Sequence, residues 1–281
     1  MKFAKMQGTG NDYIYVNCFE ETVFDPPAAA KFLSDRHFGV GSDGLVLIEP
    51  SDRADFKMDI YNSDGSRARM CGNAARCVAK YVCDNGLTDK SLISLETPGG
   101  IKYIDIYKEN GKVVSARVNM GAPILKSRDI PALFDSATVI ALPLKVGEKA
   151  YRVTCLSMGN PHCVVFSNDA DSVNIQKTGP EFENHPAFPD RINTEFVQPL
   201  SGSHIKMRVW ERGAGETLSC GACAAAAACI LNGYCKRDTD ITVTLRGGEL
   251  SVNWSADGAV YLTGPAATVF TGEIACCGGA R

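Results

Sequence analysis

The chain has 281 residues, enough for one large domain or two of medium size. Apolar residues make up 45% and charged residues 22%, which excludes a disordered, collagen-like or coiled-coil chain. A net charge of −3 without a basic stripe argues against nucleic acid or an anionic membrane as partner, and no apolar run is long enough to span a bilayer. The opening stretch MKFAKMQGTGNDY lacks the apolar core of a secretion signal, so the 12 cysteines are expected as thiols in a reducing, cytoplasmic compartment.

In chain order, Leu45–Ile48 reads as a strand. Phe56, Met58 and Ile60 then alternate with Lys57 and Asp59, the period of a half-buried strand. A polar loop leads to Cys71-Gly72. Beyond it Ala74, Cys77, Val78, Tyr81 and Val82 fall on one helical face, closed by Asn85-Gly86 as a C-cap. The turn Thr97-Pro98-Gly99-Gly100 precedes strands at Lys102–Ile106 and Val113–Asn119. Gly121-Ala122-Pro123 and Gly159-Asn160-Pro161 punctuate the middle, and Cys163–Phe166 is a further strand. Ile205, Met207 and Val209 alternate with Lys206 and Arg208. From Gly221 to Leu231 the chain is apolar all round, which predicts a fully buried helix ending at Asn232-Gly233. Strands follow at Ile241–Leu245, Leu250–Asn253 and Ala259–Thr263, before Gly264-Pro265.

The chain repeats itself at an offset of 149 residues. FKMDIYNSDGSRARMCG (56–72) lies over IKMRVWERGAGETLSCG (205–221), with Lys57/Lys206, Met58/Met207, Cys71/Cys220 and Gly72/Gly221 identical. The same offset pairs Gly10-Asn11 with Gly159-Asn160, each asparagine 60 residues before its cysteine. These matches predict an α+β chain of two homologous domains, each a mixed sheet wrapped around a central helix. The expected limits are 1–120 and 121–264, with 265–281 a strand returning to the first domain.

Each repeat therefore sets a cysteine at or just before the first turn of a buried helix. Unsatisfied N–H groups and the helix dipole there favour an anion, which lowers a thiol pKa. The same N–H groups can hold a carboxylate. If the domains face each other about a pseudo-twofold axis, Cys71 and Cys220 converge on one cleft. Two thiols flanking a carbon suit removal of a proton from one face and its return to the other, one as thiolate base and one as thiol acid. The remaining cysteines, Cys18, Cys77, Cys83, Cys155, Cys163, Cys223, Cys229, Cys235, Cys276 and Cys277, read as small buried apolar residues. A Cys220-x-x-Cys223 metal pair without a second pair is a poor zinc signature.

GTGNDYIYVN, YNSDGSRARMCGNAARC, GNPHCV, INTEFV and ERGAGETLSCG, in this order, resemble the diaminopimelate epimerase family, over essentially the whole chain. The resemblance implies two similar domains and a two-base epimerase using neither pyridoxal phosphate nor metal, hence no cofactor. It implies a small amino-acid substrate, LL- or meso-diaminopimelate, on the route to lysine and peptidoglycan, and it admits a homodimer. Carried over by residue, Cys71 and Cys220 are the catalytic pair. Gly72, Asn73 and Gly221, with Ala222, stand where backbone N–H groups hold the reacting carboxylate. His162 and Glu211 match residues that position and tune the cysteines. Asn11, Asn62, Asn160, Asn193 and Arg212 match substrate-holding positions. A guanidinium fork suits a carboxylate, and Glu211 can also accept from a distal ammonium.

Three departures from the family pattern stand out. Its usual Cys-Gly-Ser/Thr-Gly-Ala-Cys is here Cys220-Gly221-Ala222-Cys223, and Cys71 to Gly86 spans 15 positions where Cys220 to Gly233 spans 13. Two residues are thus missing, expected at an end of the helix. Ala74 stands where glycine is common, and Gly44 where some members have glutamine. The competing readings are a racemase or epimerase of another amino acid, including the proline-racemase type, and a thiol-rich metal or redox module. An isomerase of the phenazine-pathway type lacks the two cysteines.

Overall fold

The computed structural model describes residues 1–275, so Cys276 and Cys277 lie outside the described residues. The chain forms two compact units, Met1–Asn119 with the C-terminal segment from Thr263, and Met120–Leu262.

In the first unit β1 (Lys2–Gly8) and β2 (Asn11–Asn17) form a hairpin, followed by α1 (Pro26–Ser34), β3 (Gly44–Glu49) and β4 (Phe56–Asn62). A short β5 (Arg67–Ala68) folds back on β4. Next come α2 (Gly72–Asp84), β6 (Leu92–Thr97), β7 (Gly100–Glu109) and β8 (Lys112–Gly121). The second unit opens with β9 (Val139–Val146), β10 (Lys149–Ser157) and β11 (Pro161–Phe166), then α3 (Ile175–Glu183), β12 (Asn193–Ser201) and β13 (His204–Glu211). After β14 (Gly215–Thr217) follow α4 (Ala222–Leu231), β15 (Ile241–Leu245), β16 (Gly248–Trp254) and β17 (Val260–Pro265). Finally β18 (Ala267–Glu273) pairs antiparallel with β1.

The two units share one topology. β1–β2 and β10–β11 are antiparallel, and β2–β3 and β11–β12 are parallel. β3–β4 and β12–β13 are antiparallel, and β4–β6 and β13–β15 are parallel. At the 149 offset the β2–β3 and β3–β4 registers recur in β11–β12 and β12–β13, so that Tyr13↔Gly44 corresponds to His162↔Asn193, whereas the β1–β2 and β4–β6 registers differ by one residue from those of β10–β11 and β13–β15.

Strand periodicity sorts the side chains onto two faces. In β2, Ile14 and Val16 join Leu45, Leu47 and the α1 residues Ala29, Ala30 and Leu33 in one core. Tyr13 and Tyr15 point the other way, towards α2. In the second unit Cys163, Val165 and Phe196 pack with Phe182 of α3, while Val164, Val197, Met207 and Val209 pack with α4. Strands β10 to β13, β15 and β16 all touch α4. Residues Ala222 to Cys229 are buried on every side, so small side chains are what allow the sheet to wrap this closely.

The helix ends obey the capping rules. Gly86 and Gly233 follow the C-caps Asn85 and Asn232 with φ of 73° and 78°, the left-handed conformation that glycine adopts freely. On α2, Ala74, Cys77, Val78 and Val82 are fully buried, as the periodicity predicts. Arg76, which lies on no apolar stripe, is fully buried as well. Its Nε donates to Pro265 O (3.2 Å) and an Nη donates to Thr9 Oγ1 (3.1 Å). Cys18 and Cys83 are only half-buried, because they flank element ends, whereas Cys77, Cys155, Cys163, Cys223, Cys229 and Cys235 are buried.

Candidate active site

Each unit gathers its predicted site residues at one end of its sheet. β2 and β3 begin there and β4 ends there, which brings Asn11, Gly44 and Asn62 together, and α2 starts beside them. In the second unit the same end carries His162 and Asn193 at the starts of β11 and β12, Glu211 at the end of β13, and the start of α4.

In the first unit Cys71 is the N-cap of α2. Its sulfur accepts from Ala74 N (3.5 Å) and donates to Asn11 Oδ1 (3.4 Å). That oxygen also accepts from Asn73 Nδ2 (3.4 Å), and Asn11 Nδ2 donates to Asp43 Oδ2 (2.7 Å). Asn11 is aimed by the hairpin before it. Thr9 and Gly10 have φ of 56° and 85°, the two-residue turn with both central residues left-handed. A β-branched residue strains there, and Arg76 on Thr9 Oγ1 helps to hold it. Gly99 supports the loop ahead of Cys71: its N–H donates to Arg69 O (2.9 Å), and a Cβ would come within 3.1 Å of that oxygen. Burial, and then the neighbouring Cys71, push the Tyr13 phenol well above its ordinary pKa. Burial likewise raises the Asp43 carboxyl. Asn62 Nδ2 donates to Ser66 Oγ (3.0 Å) within its own turn.

In the second unit Cys220 stands one residue ahead of the N-cap, Gly221, whose φ is 76°. Counted back from the glycines that follow their C-caps, α2 begins 14 positions before Gly86 and α4 11 before Gly233, so with the caps aligned the shortening of α4 falls at its N-terminal end. Its C-terminal Asn-Gly cap is unaltered.

His162 is buried, with Nδ1 2.6 Å from Glu195 Oε1 and Nε2 2.9 Å from Asn160 Oδ1. Each ring nitrogen of His162 thus faces one oxygen, Nδ1 a carboxylate and Nε2 an amide. Burial pushes the Glu195 carboxyl up, and His162 acts against it. A Cβ on Gly221 would come within 2.7 Å of Glu195 Cγ and closer still to Oε1, so only glycine fits above this carboxylate.

Glu211 accepts from Thr217 Oγ1. Asn193 Oδ1 accepts from Arg212 N (2.9 Å) and its Nδ2 donates to Pro161 O (3.1 Å), so this amide ties β12 to both neighbouring turns. The Arg212 guanidinium donates to Asp190 O (2.8 Å). Glu183, at the end of α3, accepts from Trp210 Nε1 (2.7 Å) and Gly213 N (2.9 Å), which fixes the chain on either side of Glu211-Arg212. Tyr13, Asp43, Glu183 and Glu195 were not anticipated from the motifs. Tyr13 is the repeat counterpart of His162, and that signal was available in the sequence. Among the described residues no cluster of three or more His, Cys, Asp or Glu side chains is arranged to hold a metal ion, and no helix is long and apolar enough to cross a membrane.

Comparison with known proteins places this geometry. The crystal structure of a hydroxyproline epimerase from Agrobacterium vitis superposes with a TM-score of 0.72 at 12% identity, covering 98% of this chain and 90% of that one, a likeness of fold alone. The fold class is thus the two-domain epimerase and racemase fold. A sequence profile described as diaminopimelate epimerase matches residues 3–126 and 154–269. The diaminopimelate epimerase of Acetivibrio thermocellus is 54% identical over 277 residues, 98% of each chain. That of Agathobacter rectalis is 54% identical over 284 residues, 98% of this chain and 99% of its own. The chain belongs to the diaminopimelate epimerase family.

Proposed function

We propose that the chain interconverts LL- and meso-diaminopimelate by a two-base proton transfer. One cysteine, as thiolate, takes the α-proton, and the C–H electron pair passes into the α-carbon and its carboxylate. The other cysteine, as thiol, returns a proton to the opposite face and becomes the thiolate. Reverse turnover exchanges their roles, so no redox partner is consumed. In this reading the N–H groups of Gly72, Asn73, Gly221 and Ala222 hold the α-carboxylate and stabilise the charge that develops there. His162 and Glu211 tune the cysteines. Arg212, Asn11, Asn62, Asn160 and Asn193 hold the substrate, whose second zwitterionic end gives the charged groups their purpose. A cytoplasmic setting keeps such thiols reduced.

The observation that carries the reading is the doubled one: in both units a cysteine stands at the start of the central helix, Cys71 as N-cap and Cys220 beside it. The names of relatives about half identical to the chain support the substrate. A second reading, epimerisation of a different amino acid, rests on the shortened Cys220-Gly221-Ala222-Cys223 segment alone. Incubation with LL-diaminopimelate, lysine, glutamate, proline and hydroxyproline separates the two. Interconversion of diaminopimelate only is expected, and turnover of another member in its place overturns the substrate assignment.

A further inference from the structure

Glu195 occupies a position where packing alone calls for an apolar residue. The offset that relates the repeats pairs it with Val46, and both are wholly buried. Their settings are alike: Val46 faces Tyr15 across the parallel β2–β3 pair, and Glu195 faces Val164 across β11–β12. An acid buried here is costly unless paired, and a valine avoids the cost. Something other than packing must therefore hold the carboxylate in place.

Its contacts identify what that is. Oε1 lies 2.6 Å from His162 Nδ1, and the same side chain fills the space above Gly221 that a Cβ would need. Oε2 is buried without a hydrogen-bond partner, and the carboxyl as a whole lies against Gly221 at the start of α4, where the helix dipole favours negative charge. The titratable groups that interact with Glu195 are His162 and Glu211, and the buried Cys163 thiol, which its field pushes further up. The first unit needs no counterpart. Tyr13, at the position equivalent to His162, has a single polar atom and no second ring nitrogen to hold, and a valine, Val46, stands at the position equivalent to Glu195.

We propose that Glu195 is a positioning residue for the epimerisation: it clamps the His162 ring through Nδ1 and seats the Gly221 turn, so that one carboxylate fixes both the ring and the helix start beside Cys220. The proposal rests on the function proposed above. With Nδ1 held, the ring cannot turn, and Nε2 stays aimed at the Asn160 amide.

Glu195→Gln keeps the shape and removes the charge, and Glu195→Asp keeps the charge and withdraws it. In either folded variant kcat for diaminopimelate should fall by about tenfold or more while KM stays within about threefold, because Glu195 does not touch substrate. The α-deuterium isotope effect on kcat should rise, since proton transfer becomes slower relative to binding and release. A structural role would move neither ratio in this pattern. The proposal is overturned if kcat stays within about threefold of the parent, or if KM alone changes. A third measurement needs neither turnover nor a variant that folds. The 15N shifts of the His162 ring in the resting protein should show Nδ1 engaged in a hydrogen bond, and shifts matching a solvent-exposed ring overturn the proposal. Parent protein that leaves the diaminopimelate α-proton unexchanged defeats the functional reading, while the ring shifts still decide the role of Glu195.

Discussion

Cys71 and Cys220 are equivalent in sequence but differ in setting. The Cys71 sulfur caps its helix and accepts from Ala74 N, whereas Cys220 precedes a glycine cap that has no side chain to offer. Both should be indispensable, because loss of either base breaks the relay. Cys71→Ala and Cys220→Ala should each lower the epimerisation rate by about 10³-fold or more with an unchanged circular-dichroism spectrum. Near-normal turnover of either variant contradicts the mechanism. Gly221→Ala meets two obstacles, a left-handed φ and the Glu195 side chain. It should cost about 1–3 kcal/mol of stability in denaturant unfolding. A third residue-scale test uses pH. Burial raises the Asp12 carboxyl, but Lys5 and Arg36 outweigh it, so its folded pKa is lowered. A lowered folded pKa contributes stability above the unfolded value of about 3.9, which is lost as pH falls through the folded value. Asp12→Asn should therefore destabilise by about 2–4 kcal/mol at neutral pH, and the difference should shrink as the pH falls through the lowered folded pKa of Asp12. An equal difference at neutral pH and below that pKa argues against the ion pair.

At the scale of elements, α2 and α4 were legible because each carries strong signals at both ends. A Cys-Gly precedes the apolar run and an Asn-Gly closes it. α1 and α3 were not legible. Each has nine residues, α1 opens on two prolines and α3 contains Gly179 and Pro180, so their helical period is too short and too broken to read. Here packing decides: Ala29, Ala30 and Leu33 bury against β2 and β3, and Trp210 lies directly on Gly179. The β9–β10 hairpin mixes buried and exposed residues without clean alternation and was missed for that reason. The shortened second motif belongs to this scale too. Two residues lost from the body of a helix would turn its face by roughly 200°. Losing them at the N-terminus spares the helix body, and α4 is buried on every side from Ala222 to Cys229. Insertion of Thr-Gly after Gly221 should accordingly preserve or raise turnover of diaminopimelate. Loss of that turnover with a gain on another amino acid points to a different substrate.

For the whole molecule, the 149-residue offset was the most informative signal in the sequence, and the shared strand topology of the two units answers to it. It failed to flag Glu195 because INTEFV was read only as a motif, with Asn193 as its functional residue. Only when the offset is followed through β12 does the acid stand opposite a valine, and only the fold brings it to His162. Polar residues that serve a site from behind leave little trace in composition or period, since each breaks the local pattern at a single position. The central claim, that two groups on opposite faces exchange one α-proton, is tested most directly by deuterium. LL-diaminopimelate is converted in D₂O for a small fraction of one equilibration, and both isomers are recovered and analysed by mass spectrometry. The account predicts one deuterium at the inverted α-carbon of the meso product while the remaining LL substrate is unlabelled. Equal early label in recovered substrate, or meso product without deuterium, contradicts it.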